Sequence, residues 1–214
     1  MQFFNKNLKD KFTKVYIKNY FKGDESRSGE GSSILQTKVI RDQIPLLLEE
    51  FNITSLIDAP CGDWNWMSHI DLGGCQYTGV DIVEQIVAEN IKKYKKDNIN
   101  FLHKDLTQDS LNYADLIFSR DCFVHLGYID IYKILNKFKA SGAKYLLTTT
   151  FVERDLNVDL KTSFWRPLNL QKPPFNFPEP IQLINEDCSE AGGKFNDKCL
   201  GLWRLNDLSF ENNS

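Results

Sequence analysis

A chain of 214 residues is long enough to fold as one domain around a substantial core. Its 26 basic and 29 acidic residues leave a net charge of -3, which gives no general attraction to nucleic acid and favours a small-molecule partner. The five cysteines, Cys61, Cys75, Cys122, Cys188 and Cys199, show no C-x-x-C spacing, so they read as reduced thiols of a cytoplasmic protein and not as a zinc or redox set. With charges breaking the N-terminal MQFFNKNLKDKF and no long apolar run elsewhere, neither a secretion signal nor a membrane span is expected, and no metal site is predicted.

Phe4, Leu8, Phe12, Tyr16 and Tyr20 recur at intervals of four, with Lys6, Lys9, Lys11, Lys14 and Lys18 between them, which predicts an amphipathic helix over 3–20. Its lysine face reads as solvated; contact with a membrane or an anionic glycan is the alternative. The stretch GDESRSGEGSS, Gly23 to Ser33, has the composition of a linker. We therefore divide the chain into an N-terminal segment, 1–33, and a main domain, 34–214. The domain opens on a core helix, Thr37 to Phe51, with Ile40, Ile44, Leu47, Leu48 and Phe51 on one face and a kink expected at Pro45.

Ser55 to Asp58 is a short apolar strand ending in a carboxylate, and the Pro/Gly turn Ala59 to Asp63 stops it. A strand, a tight turn and a new helix make a nucleotide-site layout, in which Gly62 lets backbone approach a ligand with no Cβ in the way. The glycines of a dinucleotide G-x-G-x-x-G are missing. Counted from Asp58, the alternating glycine places hold Pro60, Gly62 and Trp64. Trp64, Trp66 and Met67 open the next helix, running to Ile70. Cys75 to Val83 is a second strand ending in Asp81, which stands roughly 20 residues beyond the glycine turn, where a carboxylate can accept both ribose hydroxyls of an adenosine. A solvated turn aspartate is the alternative.

A helix face at Ile86, Val87, Asn90, Ile91 and Tyr94 follows, then strand Ile99 to His103 leading to Asp105, then strand Ala114 to Arg120 with DCFVHL after it. Ile131, Ile134, Leu135 and Phe138 mark another helix, and Lys144 to Phe151 another strand. The alternation β-α-β-α-β-α-β-α-β predicts a parallel sheet with crossover helices. Residues 152–180 have no periodicity but hold Pro167, Pro173, Pro174, Pro178 and Pro180 with Trp165, Phe175 and Phe177, which predicts an ordered functional loop. Ile181 to Ile184 and Cys199 to Leu205 read as two closing strands, and 207–214 as a frayed end.

Taken together, DAPCGDWNWM, GVDIV, SRDCFVHL, TTF, WRPLNL with PFNFP, and DKCLGLW resemble the class I methyltransferases that use S-adenosylmethionine (SAM). Within that family they are similar to a bacterial branch associated with surface glycan biosynthesis, including enzymes of the O-methyl phosphoramidate decoration of Campylobacter-like capsules. The resemblance spans Gly29 to Leu205. It implies a Rossmann-like α/β sheet, mostly parallel with a terminal antiparallel hairpin and helices on both faces. It implies SAM as cofactor, held by the turn and its helix (Asp58, Ala59, Pro60, Gly62, Trp66), by Asp81 and Ile82, by Asp105 with Leu106 at the adenine, and by Arg120 beside the sulfonium. The 3–20 helix becomes a flap beside the cofactor. Arg27, Glu30, Gly31 and Ser32 would close over SAM, with an inert loop as the alternative.

His125 and Asp121 are the candidate bases, with packing or orienting the loop as the alternative for His125, and 152–180 becomes a wall over the acceptor, with Arg166 and Asn169 as acceptor contacts. A sugar hydroxyl needs a base; an anionic phosphate or phosphoramidate oxygen needs none and suits Arg166 or Arg120. The expected partner is thus a small or sugar-linked acceptor, with an anionic one among the options and no nucleic acid. A non-catalytic SAM-binding module, an N-methyltransferase, a protein or RNA methyltransferase and a Rossmann-like oxidoreductase are the competing readings.

Overall fold

The computed structural model describes residues 8–160 and 164–209. Seven strands form one sheet in the order β3-β2-β1-β4-β5-β7-β6: β1 is Ser55–Asp58, β2 Gln76–Asp81, β3 Ile99–His103, β4 Leu116–Ser119, β5 Tyr145–Phe151, β6 Gln182–Asn185 and β7 Lys198–Arg204. The first five strands pair in parallel, while β7 runs antiparallel to both β5 and β6. This is the Rossmann-like methyltransferase architecture expected from the resemblance, closing hairpin included. Strand order reverses between β1 and β4, and the crevice outside the carboxyl ends at such a switch point is where open α/β sheets take ligands.

Side chains alternate across the sheet with the two-residue period of a strand. Leu56, Leu116, Phe118, Leu147, Leu200 and Leu202 pack on one face with Ile40, Ile44, Leu47 and Leu48 of helix α2 (Lys38–Glu50), inside which Pro45 sits. Ile57, Ile117, Leu146 and Trp203 face the other way, onto Ile131, Ile134, Leu135 and Phe138 of α4 (Tyr128–Ala140). Two further helices are α1 (Leu8–Ile17), the described part of the expected 3–20 helix, and α3 (Glu84–Tyr94). Residues 3–7 of that expectation lie outside the described residues, as do 210–214 of the expected frayed end.

The regular strand-helix alternation needs two corrections. The helix expected from Trp64 to Ile70 is only a 3-10 turn at Met67–His69. Trp64 occupies the left-handed backbone region, φ +57°, which a helix cannot include, and its indole packs between Tyr77, Tyr94 and Phe101. No helix joins β3 to β4 either. Asp105 instead draws the backbone N–H of Thr107 and the side chains of Thr107 and Gln108 into a local turn, the competition by which short polar side chains displace helix.

The loop at 152–180 is built into the α4 side of the core. Leu168, Leu170, Phe175 and Phe177 are buried there, with Phe175 against Tyr128 and Tyr132. Asn169 donates to the carbonyls of Val152 and Arg154, and Asn157 to those of Asn169 and Pro173. Asn169, expected at the acceptor, is therefore a clamp inside the loop, 2 % exposed.

Candidate active site

The carboxyl ends of β1 to β4 surround a cleft of about 1160 Å³, counted out to solvent and roofed by α1 and residues 27–32. Its floor is the turn after β1. Cys61 N donates to Val80 O, Gly62 N to Asp81 Oδ2 at 3.1 Å, and Asn90 Nδ2 to Gly62 O at 2.8 Å. Gly62, at φ +54°, must be glycine twice over: the conformation suits it, and a Cβ there would lie 2.5 Å from Ser28 Oγ in the roof.

Asp58 is 2 % exposed and accepts the Tyr77 hydroxyl at 2.6 Å. Burial pushes its carboxyl up to about 8, against the pull of that hydrogen bond, so it holds a proton at neutral pH in the ligand-free cleft. Asp81 is likewise pushed up by burial, to about 6, while the backbone N–H groups of Val83 and Gly62 favour its charged form. Each Asp81 oxygen accepts one backbone donor and keeps a lone pair, which suits a diol. Asp105 lines the cleft beyond it, next to Ile82, Leu106 and Thr107.

Of the residues expected at the cofactor, Arg27, Ser32, Asp58, Pro60, Gly62, Trp66, Asp81, Ile82, Asp105, Leu106 and Arg120 line one continuous surface. Ala59, Glu30 and Gly31 do not. Ala59 lies beneath the turn, bonded to Phe118 O and Ser119 Oγ. Glu30 is exposed, and Gly31 contributes its carbonyl to Arg120.

At the end of β4 the chemistry changes. Arg120 makes paired hydrogen bonds to Glu186, with Nη2 to Oε2 at 2.6 Å, and also donates to Gly31 O. Asp121 takes the left-handed conformation, φ +53°, with its N–H on Thr149 Oγ1 and its Oδ2 on Lys198 Nζ at 2.6 Å. Burial alone would raise its carboxyl, but Lys198 and Arg120 hold it down at about 2, so it stays ionised. A carboxylate so acidic is a poor base near neutrality. His125 is different. Its Nδ1 lies 2.6 Å from Phe164 O; a carbonyl only accepts, so Nδ1 carries the proton and Nε2 keeps a lone pair. Burial lowers its pKa, so the ring is neutral at physiological pH. No partner for Nε2 occurs among the described residues.

Two expectations about the acceptor side fail on geometry. Arg166 does not reach the cleft: it is 9 % exposed and donates to the carbonyls of Val158, Phe123 and Leu126, fixing the backbone on either side of His125. Among the described residues, none from 152–180 lines the cleft, and Phe164 and Arg166 of that loop brace His125 from behind; 161–163, part of the expected acceptor wall, lie outside the described residues. Among the described residues, Arg166 is remote from the cleft and Arg120 is paired to Glu186, so the other guanidinium lining the cleft is Arg27, in the roof. The lining is rich in carboxylates: Asp58, Asp63, Asp81, Asp105 and Asp121.

Sequence reading missed four contributors. Asn90 was a helix-face position, yet it holds Gly62. Asp63 was merely the end of the turn. Glu186 and Lys198 are 2 % and 4 % exposed and complete the Arg120–Asp121 cluster. Lys198 opens β7 directly before the apolar run Cys199 to Trp203, and that adjacency was the available signal, since a lysine buried with such a run requires a partner.

Residues 57–140 match the family model of a methyltransferase domain. Among solved structures, the N-methyltransferase NodS of Bradyrhizobium japonicum, with S-adenosylhomocysteine (SAH), superposes with a TM-score of 0.63 at 14% identity, covering 89% of this chain and 97% of that one. The 1,6-didemethyltoxoflavin-N1-methyltransferase of Burkholderia thailandensis, with its substrate and SAH, gives 0.63 at 14% identity over 92% and 86%. Human N-acetylserotonin methyltransferase, in complex with SAM, gives 0.57 at 15% over 79% of this chain; the chain spans only 53% of that protein. At such identities the likeness establishes the fold. No curated protein matches the sequence.

Proposed function

We propose that the protein is a SAM-dependent methyltransferase acting on a hydroxyl of a small, uncharged acceptor, with His125 as the base. The observation that carries this reading is the fixed His125 tautomer: a neutral imidazole in the cleft wall, anchored through Nδ1, with Nε2 free to take a proton. The donor set suits the cofactor. Asp81 would hold the ribose, Asp105 and Leu106 the adenine, and the Pro60–Gly62 turn with residues 27–32 the remainder. When bound, SAM supplies an electrophilic methyl group. The chain's own task is to orient the acceptor, worth about 7 to 11 kcal/mol when done well, and to remove its proton.

The resemblance implies a capsule sugar or a phosphoramidate precursor. Cleft charge favours the first: a sugar hydroxyl suits His125 and the carboxylate lining, whereas among the described residues an anionic oxygen would meet Arg27 and the already paired Arg120. Five free cysteines, all buried, fit the cytoplasmic location that belongs to the same proposal. An amine acceptor is the second reading, favoured by the carboxylate lining and by two neighbours named as N-methyltransferases.

Calorimetric titration with SAM and SAH, on the intact protein and on Asp81→Ala, tests the cofactor. Binding abolished by the substitution is expected; no binding to the intact protein would end this reading. A screen of sugar nucleotides, amines and phosphoramidates, followed by SAH release, then separates the acceptor classes. Turnover on hydroxyl compounds is expected. Full SAM binding with no turnover on any class would favour a non-catalytic module.

A further inference from the structure

The roof of the cleft is not simply laid over it; one side chain fastens it. Asp63, next to Gly62, accepts the Ser26 hydroxyl on both carboxylate oxygens, each at 2.9 Å, and the backbone N–H of Arg27 on Oδ2 at 2.9 Å. Ser26 is 2 % exposed, and its Oγ also accepts the N–H of Ser28, so the three roof residues are ordered by one carboxylate. Ser28 is in turn the residue whose hydroxyl closes down on Gly62. On the other side the same turn is bonded to Asp81, through Gly62 N. A continuous path therefore runs from the residue placed at the ribose, through Gly62 and Asp63, to the strap that covers the cleft.

We propose that Asp63 is a positioning residue for the cofactor: it latches residues 26–28 over the bound nucleoside and sets how slowly the cofactor leaves. The proposal rests on the cofactor reading above and goes beyond it by assigning retention to a residue that touches the roof. A carboxylate accepting two donors from one short strap, the Ser26 hydroxyl shared across both oxygens and the Arg27 N–H, gives a charge-assisted closure that water alone matches poorly. The latch is made without ligand, so both arrival and departure pass through a strap that has broken it. Asp63 should thus slow departure and, through the same opening, arrival.

The experiment is stopped-flow binding and displacement of SAH on the intact protein, Asp63→Ala, Asp63→Asn and Ser26→Ala, with thermal melting of each as a check on folding. For Asp63→Ala the SAH dissociation rate should rise about 10- to 100-fold, with association faster or unchanged and never slower. The asparagine can still accept from the Arg27 N–H and pair with the Ser26 hydroxyl, so it should retain most of the slow dissociation. Ser26→Ala removes one donor only and should fall between the two. In the ligand-free protein, trypsin should cut at Arg27 faster in Asp63→Ala than in the intact chain. Unchanged dissociation in both Asp63→Ala and Ser26→Ala would overturn the latch, as would a loss of affinity that appears entirely in association. If Asp63→Ala fails to fold, Ser26→Ala decides by the same criterion. Absence of SAH binding to the intact protein would instead defeat the cofactor reading, which separates the two failures.

Discussion

The two ends of the cleft are built on opposite plans. At the cofactor end, the key groups sit on short, consecutive pieces of chain: Asp58 and Gly62 on one turn, Asp81 at the next strand end, Asp105 at the one after. Buried carboxylates there sit without cations, and two of them are held partly or wholly protonated by burial. At the acceptor end, every group depends on a partner far away in sequence. Arg120 relies on Glu186, Asp121 on Lys198, and His125 on Phe164, Arg166 and Lys11, whose Nζ bonds the His125 carbonyl. One end stores unfavourable charge burial that a ligand can relieve; the other is already neutralised internally. The cofactor end should therefore respond to ligand and pH, and the acceptor end to loss of a partner.

The largest expected effect is on chemistry at the acceptor end. His125→Ala should lower turnover on a hydroxyl acceptor by about 10² to 10⁴ while leaving SAH affinity within a few-fold. Steady-state kinetics with parallel SAH titrations measure both; turnover near that of the intact enzyme would remove the base from the mechanism. Next comes stability at the same end. Lys198→Met leaves Asp121 and Glu186 buried with one shared cation, Arg120, in place of two, and removing a member of such a set costs up to about 3 to 5 kcal/mol. Urea unfolding at pH 7 should show that loss; a cost under about 1 kcal/mol would mean water reaches the cluster. Asp81→Ala, by contrast, should cost cofactor binding and little stability.

These contrasts also explain what could be read from the sequence. Ser55–Asp58 and Ile99–His103 are legible to the residue, because a buried parallel strand is a short apolar run closed by a turn. The strand-end carboxylates follow, since the sheet places them automatically. Arg166 and Asn169 were misassigned for a different reason. Nothing local distinguishes an arginine that reaches a ligand from one that caps three backbone carbonyls, and two of its targets lie 43 and 40 residues away. Trp64 misled in the same way: glycine-like backbone geometry survives there because aromatic packing replaces the freedom that glycine would have had.

A smaller effect concerns stability at the cofactor end. Asp58 in the fold titrates at about 8, well above its ordinary value of 3.8. A folded pKa raised in this way gives stability that is complete below the unfolded value and is lost as pH rises through the folded one. Ligand-free protein should therefore weaken between pH 5 and 8, with Asp81 adding to the loss around its own value of about 6. Asp115 moves oppositely, held low by Lys144 and Thr54 against its burial, but its contribution is already complete above pH 5. Asp58→Asn should then be nearly neutral at pH 5 and stabilising by about 1 to 3 kcal/mol at pH 8. Thermal melts across that range check it, and equal effects at both pH values would refute the buried proton.

The finest test asks whether the cofactor's charge is felt at Asp58. If adenosine lies over the ends of β3 and β2, the sulfur would lie toward β1 and β4, where Asp58 and Asp121 line the cleft. SAM brings a sulfonium cation there and SAH a neutral thioether. A cation favours the ionised carboxylate, so binding SAM should release a proton that SAH leaves in place. From pH 6 to pH 8 the affinity for SAM should rise relative to that for SAH by about 3- to 10-fold. Asp58→Asn should abolish that divergence, since an amide has no proton to release. Parallel pH profiles for the two ligands in the intact protein would mean that Asp58 is too far from the sulfur, or remains protonated throughout.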